Sequence, residues 1–256
     1  LSHIDRSVTN HDVIPVIGSA LFAEQPTARM CIGIIAENDV PRPGLESEYR
    51  AHFELRRNVY VDQTGQLDES EIQPDGTDRD ADDARSITFA VFENHIDGVR
   101  VVGVSRLIVR GDELPLPVEE FCPDSFVDGD LSPRSVEVSR VIARHEHAVM
   151  QELVQWHLFA VMLAYEANHG LERTFAIIEP WLERHLRGTI AISRIGEPRY
   201  VEHYLDYNLP IEIDIPLSTE RVNDRQSGII DQYRADDGAM TYVGRAPKRA
   251  LSEQLQ

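Results

Sequence analysis

The nine residues 135–143 read S-V-E-V-S-R-V-I-A and decide how the rest of the chain is understood. They are short and rich in β-branched residues, which predicts a strand, yet Glu137 and Arg140 interrupt an otherwise apolar run. Soon after comes the clearest helix, over 147–168. Met150, Leu153, Val154, His157, Leu158, Val161 and Tyr165 make one stripe, and Trp156, Phe159 and Leu163 cover much of the rest. A helix that is apolar nearly all round is buried, here against a sheet. Gly170 fits its stop.

Working outward, 29–36 (R-M-C-I-G-I-I-A) is a compact apolar strand, and 38–44, with two prolines and a glycine, is a loop. From Leu45 the spacing of Leu45, Tyr49, Phe53 and Tyr60 predicts one helical face, which also carries His52 and Arg56. Residues 62–85 hold nine acids and two arginines and read as a long acidic loop. Strands at 86–92 and 99–109 flank Asp97-Gly98, a hairpin-turn signal. A Pro-rich connection over 113–133 leads to the strand at 135. Downstream, strands are expected at 174–178, 191–195 and 209–215, with a helix at 180–187 that opens on a proline. A short helix is expected around 17–24. There is no internal repeat.

The order predicts one α/β domain over 1–256, a mixed sheet with helices on both faces. Its core is expected over about 28–218, followed by a polar tail or short docking helix over 219–256.

At 256 residues the chain can bury a core without disulfide or metal staples. The 44 acidic against 25 basic residues leave a formal charge of −19, which argues against nucleic acid or an anionic membrane as partner. No apolar run reaches the ~18 residues of a membrane span. Residues 13–22, the nearest to a signal-peptide core, are broken by Pro15 and Gly18 and lack a basic flank. Cys31 and Cys122 form neither a disulfide framework nor a paired metal motif, so a cytoplasmic setting is expected.

Arg56, Arg106, Glu137 and Arg140 occupy positions where periodicity calls for apolar side chains. Buried charges are costly unless paired, so these should meet each other or a ligand. An internal ion-pair network that only fixes the fold stays open beside a functional one. Strict alternation would put Glu137 and Arg140 on opposite faces; a β-bulge between them would let both serve one site. In 78–83 (D-R-D-A-D-D) the sixth position is Asp83 instead of Gly and the twelfth is Phe89 instead of Glu, against an EF-hand. His145, His147 and His157 lack the spacing of a metal motif, and His157 on the apolar stripe reads as a core histidine. No metal site is expected. No G-x-S-x-G, no G-x-G-x-x-G and no R/Q-x-x-G-x-G/A phosphate cradle occurs after the strand at 135.

Taken in chain order, these residues resemble the acyl-homoserine-lactone (autoinducer) synthases, a branch of the GNAT acyltransferase fold. The family's R-x-x-V-F is similar to Arg56-Arg57-Asn58-Val59-Tyr60, and its E-x-D-x-x-D to Asp78, Asp80 and Asp83. Its G-x-x-R is matched by Gly103-Val104-Ser105-Arg106, and its W-E-L-S-R by Val136-Glu137-Val138-Ser139-Arg140. The family's tryptophan after the first motif would fall near Gln66, and the one before the glutamate is Val136; that tryptophan helps bind S-adenosylmethionine. Long-chain N-acyl amino acid synthases share the scaffold without that substrate, and the chain resembles them as well.

The resemblance implies a mostly antiparallel central sheet with a V-shaped cleft between the fourth and fifth core strands. It implies N-acyl transfer from a pantetheine thioester, on acyl-CoA or acyl carrier protein, to a small amine, with no permanently bound cofactor. A short-chain acetyl-CoA-dependent GNAT and a non-catalytic acyl-ligand-binding module are the alternatives. Glu137 is the expected base and Asp80 the amine-binding partner. Arg56, Tyr60, Asp78, Asp83, Arg106, Ser139 and Arg140 are expected to bind substrate, with main-chain contacts to the thioester at Val141 and Ile142. The pantetheine arm would lie between the strands at 135 and 174, and the acyl chain under the helix from 147. For an acidic carrier protein, Arg173, Arg184, Arg187, Arg194 and Arg199 face only Glu179, Glu183 and Glu197 within their own stretch and form the expected docking patch.

Overall fold

The computed structural model describes residues 14–15, 29–95, 98–111, 114–126, 131–226 and 228–234. The ten strands are β1 (Ile14–Pro15), β2 (Arg29–Glu37), β3 (Val40–Pro41), β4 (Ser86–His95), β5 (Gly98–Val109), β6 (Ser135–Ala143), β7 (Arg173–Ile178), β8 (Ile192–Arg194), β9 (Arg199–Val201) and β10 (Asp206–Ile213). The α-helices are α1 (Glu46–Arg57), α2 (Pro117–Phe121), α3 (Ala148–Asn168), α4 (Pro180–Arg187), α5 (Ile215–Arg225) and α6 (Ile229–Arg234).

The sheet runs β1-β2-β4-β5-β6-β7-β10-β8, with β3 paired to β2 and β9 to β10. Every pairing is antiparallel except β6 with β7. That parallel junction holds only at Ser135↔Arg173, Val136↔Thr174 and Glu137↔Phe175. Beyond Glu137 the two strands part, and a V opens between the fourth and fifth long strands.

α3 packs on one face, where its apolar stripe meets Ile32, Phe89, Leu107 and Val136. α1 covers Cys31, Ile35, Ala90 and Phe92 on the other. Gly103 sits under α3: a Cβ there would lie 2.5 Å from Val154 Cγ1, so only glycine admits the helix this close to β5. Gly170, at φ +60°, supplies the left-handed residue just past the end of α3.

Several boundaries differ from the periodicity reading. The stripe continuing from Leu45 to Tyr60 breaks at Asn58, where α1 passes into a π-helical segment Asn58–Gln63. One extra residue per turn re-aims Tyr60 away from the α-helical face. The acidic stretch holds two short 3-10 turns, Glu69–Glu71 and Ala81–Arg85. The strand expected at 209–215 ends at Ile213, because Asp214 caps α5 through Leu217 N–H (2.8 Å). Of the polar tail or short docking helix expected from 219, the described residues hold the rest of α5 and the short helix α6, where Ile229, Ile230 and Tyr233 are buried against the α3 side. His157 is a core histidine: buried, bonded through Nδ1 to the Tyr233 hydroxyl, and pushed down to about 4 by burial. The helix expected at 17–24 and the turn residues 96–97 lie outside the described residues.

Candidate active site

The four misfit charges of the sequence gather on the α1 side of β5 and β6. In β6, Ser139 lies opposite Arg106 and Ile142 opposite Val104, so Arg140 and Val141 share the place opposite Ser105. This is a β-bulge, and Arg140 takes φ +54°, a left-handed conformation that costs a non-glycine residue about 1–2 kcal/mol. The bulge brings Arg140 to the same side as Glu137, Ser139 and Arg106.

Ion pairs hold it there. Arg56 donates through Nε to Asp78 Oδ2 (2.9 Å) and through Nη1 to Asp83 Oδ1 (2.8 Å). Arg106 grips Asp80 with both teeth of its fork, Nη1 to Oδ1 (2.6 Å) and Nη2 to Oδ2 (2.8 Å), and reaches Asp83 Oδ1 (2.8 Å) and Ser139 Oγ (3.3 Å). Arg140 Nη2 donates to Asp80 Oδ2 at 3.2 Å, and its guanidinium lies 5.2 Å from the centre of the Tyr60 ring. Three arginines and three aspartates thus neutralise one another. Burial would lift the Asp83 carboxyl, but Arg56 and Arg106 hold it far below its ordinary value. Asp80 also caps the 3-10 turn, accepting from the N–H groups of Asp82 and Asp83. Its oxygens are therefore already heavily engaged.

Glu137 stands apart from this network. It is 1% exposed at the last position of β6 paired with β7, and Oε2 accepts the Val118 N–H at 2.7 Å. Burial pushes its carboxyl up to about 8, against the pull of that one hydrogen bond. Beside it, burial and the Glu137 charge raise the Tyr204 phenol well above its usual value.

Beyond Glu137 the parted strands enclose a cavity of about 510 Å³. Val138, Ser139, Arg140, Val141, Ile142 and Ala143 form one wall, and Ala176, Ile177, Ile178 and Glu179 the other. Phe159, Leu182, Leu186, Ile190, Ile211 and Ile213 make the apolar interior; Tyr60, Thr64, Gln66, Tyr204 and Asn208 supply polar wall. Glu137 and Tyr60 line it, whereas Arg56, Asp78, Asp80, Asp83 and Arg106 stand behind the wall. The sequence reading missed Tyr204, Glu179 and Gln66. Nothing in the local pattern marks Tyr204 or Glu179, because the splay of β6 from β7 is what brings them to one space; Gln66 is marked in the sequence only as the place of the family's tryptophan.

Most arginines of the expected docking patch meet acids. Arg173 pairs with Glu212 (2.8 Å) and Arg199 with Asp124 (3.2 Å), acids from outside the stretch that cancel its excess of two positive charges. Arg187 and Arg194 both bind Glu183, at 2.7 and 2.5 Å. Among the described residues, Arg184 of the five makes no ion pair. No group of metal-ligating side chains occurs among the described residues, and no helix there is long and apolar enough to cross a membrane.

The acetyltransferase (GNAT) domain family matches residues 55–154, from α1 into α3. A search of curated proteins gives no match. Among solved structures, the CoA-dependent acyl-homoserine lactone synthase BjaI, with SAM and isopentyl-CoA, is 25% identical at a TM-score of 0.58, covering 77% of this chain and 90% of its own. FeeM, an N-acyl amino acid synthase from uncultured soil microbes, is 16% identical at 0.54 and covers 76% of this chain and 94% of its own. The AHL synthase LasI is 14% identical at 0.52, covering 73% and 89%. The last two identities speak to fold alone. With the matched domain, the splayed sheet and the ordered charges of α1, β5 and β6, the chain is an acyltransferase of GNAT-like fold, similar to the autoinducer-synthase and N-acyl amino acid synthase branch.

Proposed function

We propose that this protein moves a fatty acyl group from a pantetheine thioester, carried by CoA or by acyl carrier protein, to the amine of a small amino-acid-like acceptor. The observation that carries this reading is the opening of β6 from β7 into an apolar cavity with Glu137 at its closed end. Its volume falls within the ~300–1,000 Å³ of small-molecule sites.

In this reading the amine nitrogen attacks the thioester carbonyl, the C–N bond forms and the C–S bond breaks. Ionised Glu137 takes the proton lost by the nitrogen, and the Tyr204 phenol, held protonated, gives one to the departing thiolate. The backbone N–H of Val141, in the bulge, stabilises the oxyanion, with Ile142, paired to Val104 of β5, lining the same wall. Ser139, Arg140 and Tyr60 shape the acceptor side. Arg56, Arg106, Asp78, Asp80 and Asp83 position them from behind, Asp80 as the carboxylate that holds Arg140 toward the amine. No resident cofactor is required. The reaction belongs in the cytoplasm, where both thioesters are made, and the whole chain acts as one domain. The apolar interior favours a long acyl chain over an acetyl group.

The test is thiol release from long-chain acyl-CoA and acyl carrier thioesters against a panel of amines, with mass spectrometry of the products. An N-acyl product with one thiol released per amide formed is expected. Thioester binding without any amide, across the panel, would overturn the proposal in favour of an acyl-ligand-binding module.

A further inference from the structure

We infer that Glu179 reads a positive charge on the acceptor, a group distinct from the attacking amine. The inference rests on the N-acyl transfer proposed above and names the acceptor class: a small amino-acid-like amine with a second, cationic nitrogen, such as an ammonium or guanidinium side chain.

Glu179 follows the last residue of β7 and lines the cavity. Counting up the parallel register from Glu137↔Phe175, and allowing the extra residue of the bulge, Glu179 stands level with Ile142 on the opposite wall. It therefore faces the place where the thioester carbonyl is expected.

Its surroundings leave a charge unmatched. Other carboxylates of the molecule carry arginines: Glu183 has Arg187 and Arg194, Glu212 has Arg173, and Asp80 has Arg106, whereas Asp206, the carboxylate close enough to raise Glu179 further, makes no ion pair among the described residues. Glu179 makes no ion pair among the described residues. Its partners are neutral donors, the Gln66 side-chain amide and the Trp181 side chain. Burial accordingly lifts its carboxyl above the ordinary value. A half-buried carboxylate satisfied only by neutral donors, on the wall of a ligand cavity, is a place where a bound cation gains most.

Trp181 supplies a second, independent pointer. Its ring is on the same wall and 68% exposed, large apolar surface that no part of the described protein covers. An indole face beside a carboxylate is a favourable seat for ammonium or guanidinium. Gln66, which reaches Glu179 from the loop after the π-helical segment, is the neutral placeholder that such a cation displaces. Because the reacting nitrogen must be uncharged to attack, it cannot itself supply the lasting partner of Glu179.

The test uses matched amino acids: arginine against citrulline, ornithine against norleucine and lysine against 2-aminoheptanoic acid, each pair alike in size and differing in side-chain charge. Binding to the native protein is measured by titration calorimetry, and acyl transfer by thiol release. At least one cationic member is expected to bind about tenfold or more tightly than its neutral partner, with Glu179→Gln erasing the difference and Glu179→Asp retaining part of it. Equal binding of cationic and neutral members to the native protein, or a preference that survives Glu179→Gln, overturns the inference. Thiol release without charge preference defeats this inference alone; charge-selective binding without thiol release under any donor defeats the transfer reading and leaves the cation site standing.

Discussion

Glu137 and Val118 meet through a single hydrogen bond, the backbone N–H of one given to Oε2 of the other at 2.7 Å. One neutral donor is too little to offset full burial, which is why the carboxyl rises to about 8. As the base, it must be ionised in the free enzyme. Below pH 8, kcat/KM should climb about tenfold per unit and level off above it. Glu137→Gln should cut acyl transfer roughly 10²-fold or more and remove that limb, while circular dichroism stays native. Near-native turnover by a folded variant would exclude Glu137 from proton transfer.

Removing Arg56 should be a stability experiment before it is a kinetic one. Its side chain is 1% exposed and it partners Asp78 and Asp83, so Arg56→Ala takes from buried Asp78 its closest cation, leaving Arg140 at 3.6 Å, and leaves Asp83 to Arg106 alone. A loss of about 3–5 kcal/mol is expected in urea unfolding. Arg56→Lys should rescue little, since an ammonium cannot reproduce the forked contacts. The depressed Asp83 carboxyl adds a pH signature. Its contribution is complete above the unfolded value near 3.8 and is lost as pH falls toward the folded one. The urea midpoint should drop steeply in acid, and less steeply in Arg56→Ala.

Glu166 works with the opposite sign. It is buried on α3, and burial raises its carboxyl to about 8 from an ordinary 4.5. The unfolded chain releases this proton first, so stability falls as pH rises from about 4.5 to 8, by a few kcal/mol in all. Glu166→Gln should flatten that slope and be more stable than the native protein at pH 8. An unchanged slope between pH 5 and 8 would assign the alkaline loss elsewhere.

Gly103→Ala should destabilise by about 1–3 kcal/mol, because the new methyl group lands on Val154. Trimming the facing side chain with Val154→Ala in the same protein should recover part of the loss. Additive losses in the double variant would show that α3 does not seat on β5 at this point.

Charge reversal at Arg184, unpaired among the described residues, and at Arg187, which shares Glu183 with Arg194, tests the proposed carrier surface. If the donor rides on an acidic carrier, the KM for acyl carrier should rise several-fold, most at low salt, while acyl-CoA is spared. Equal effects on both donors would make these side chains an ordinary solvated face.

The strand at 135–143 and the helix behind it were legible because their signals are local: β-branched residues in a short run, and a stripe that repeats with the helical turn. The need for a bulge was legible too, since Glu137 and Arg140 could not otherwise share a face. That Arg56 and Arg106 need partners followed from charge demand alone; that residues 78–83 supply them is seen only in the fold. The π-helical segment was not legible, because Val59 and Tyr60 fit an α-helical stripe equally well and only packing chooses the wider turn. Nor was Glu179, whose meaning depends on a missing arginine. The pairing of the arginine patch was hidden for the same reason: Glu212 and Asp124 are distant in sequence and adjacent in space.

The three-residue junction of β6 and β7 carries a hazard as well as an opening. Where the strands part, the sheet has two raw edges in its middle, each with backbone groups free to pair with any extended segment that arrives. Proteins blunt outer edges with charge, kinks and bulges; here the same devices stand inside. Arg140, bent into a left-handed turn and tethered to Asp80, breaks the regular row of donors that an invading strand would need. The strained arginine thus guards against self-association: straightening the bulge should make the cleft a template for strand exchange between copies, and aggregation would precede any change in the rest of the fold.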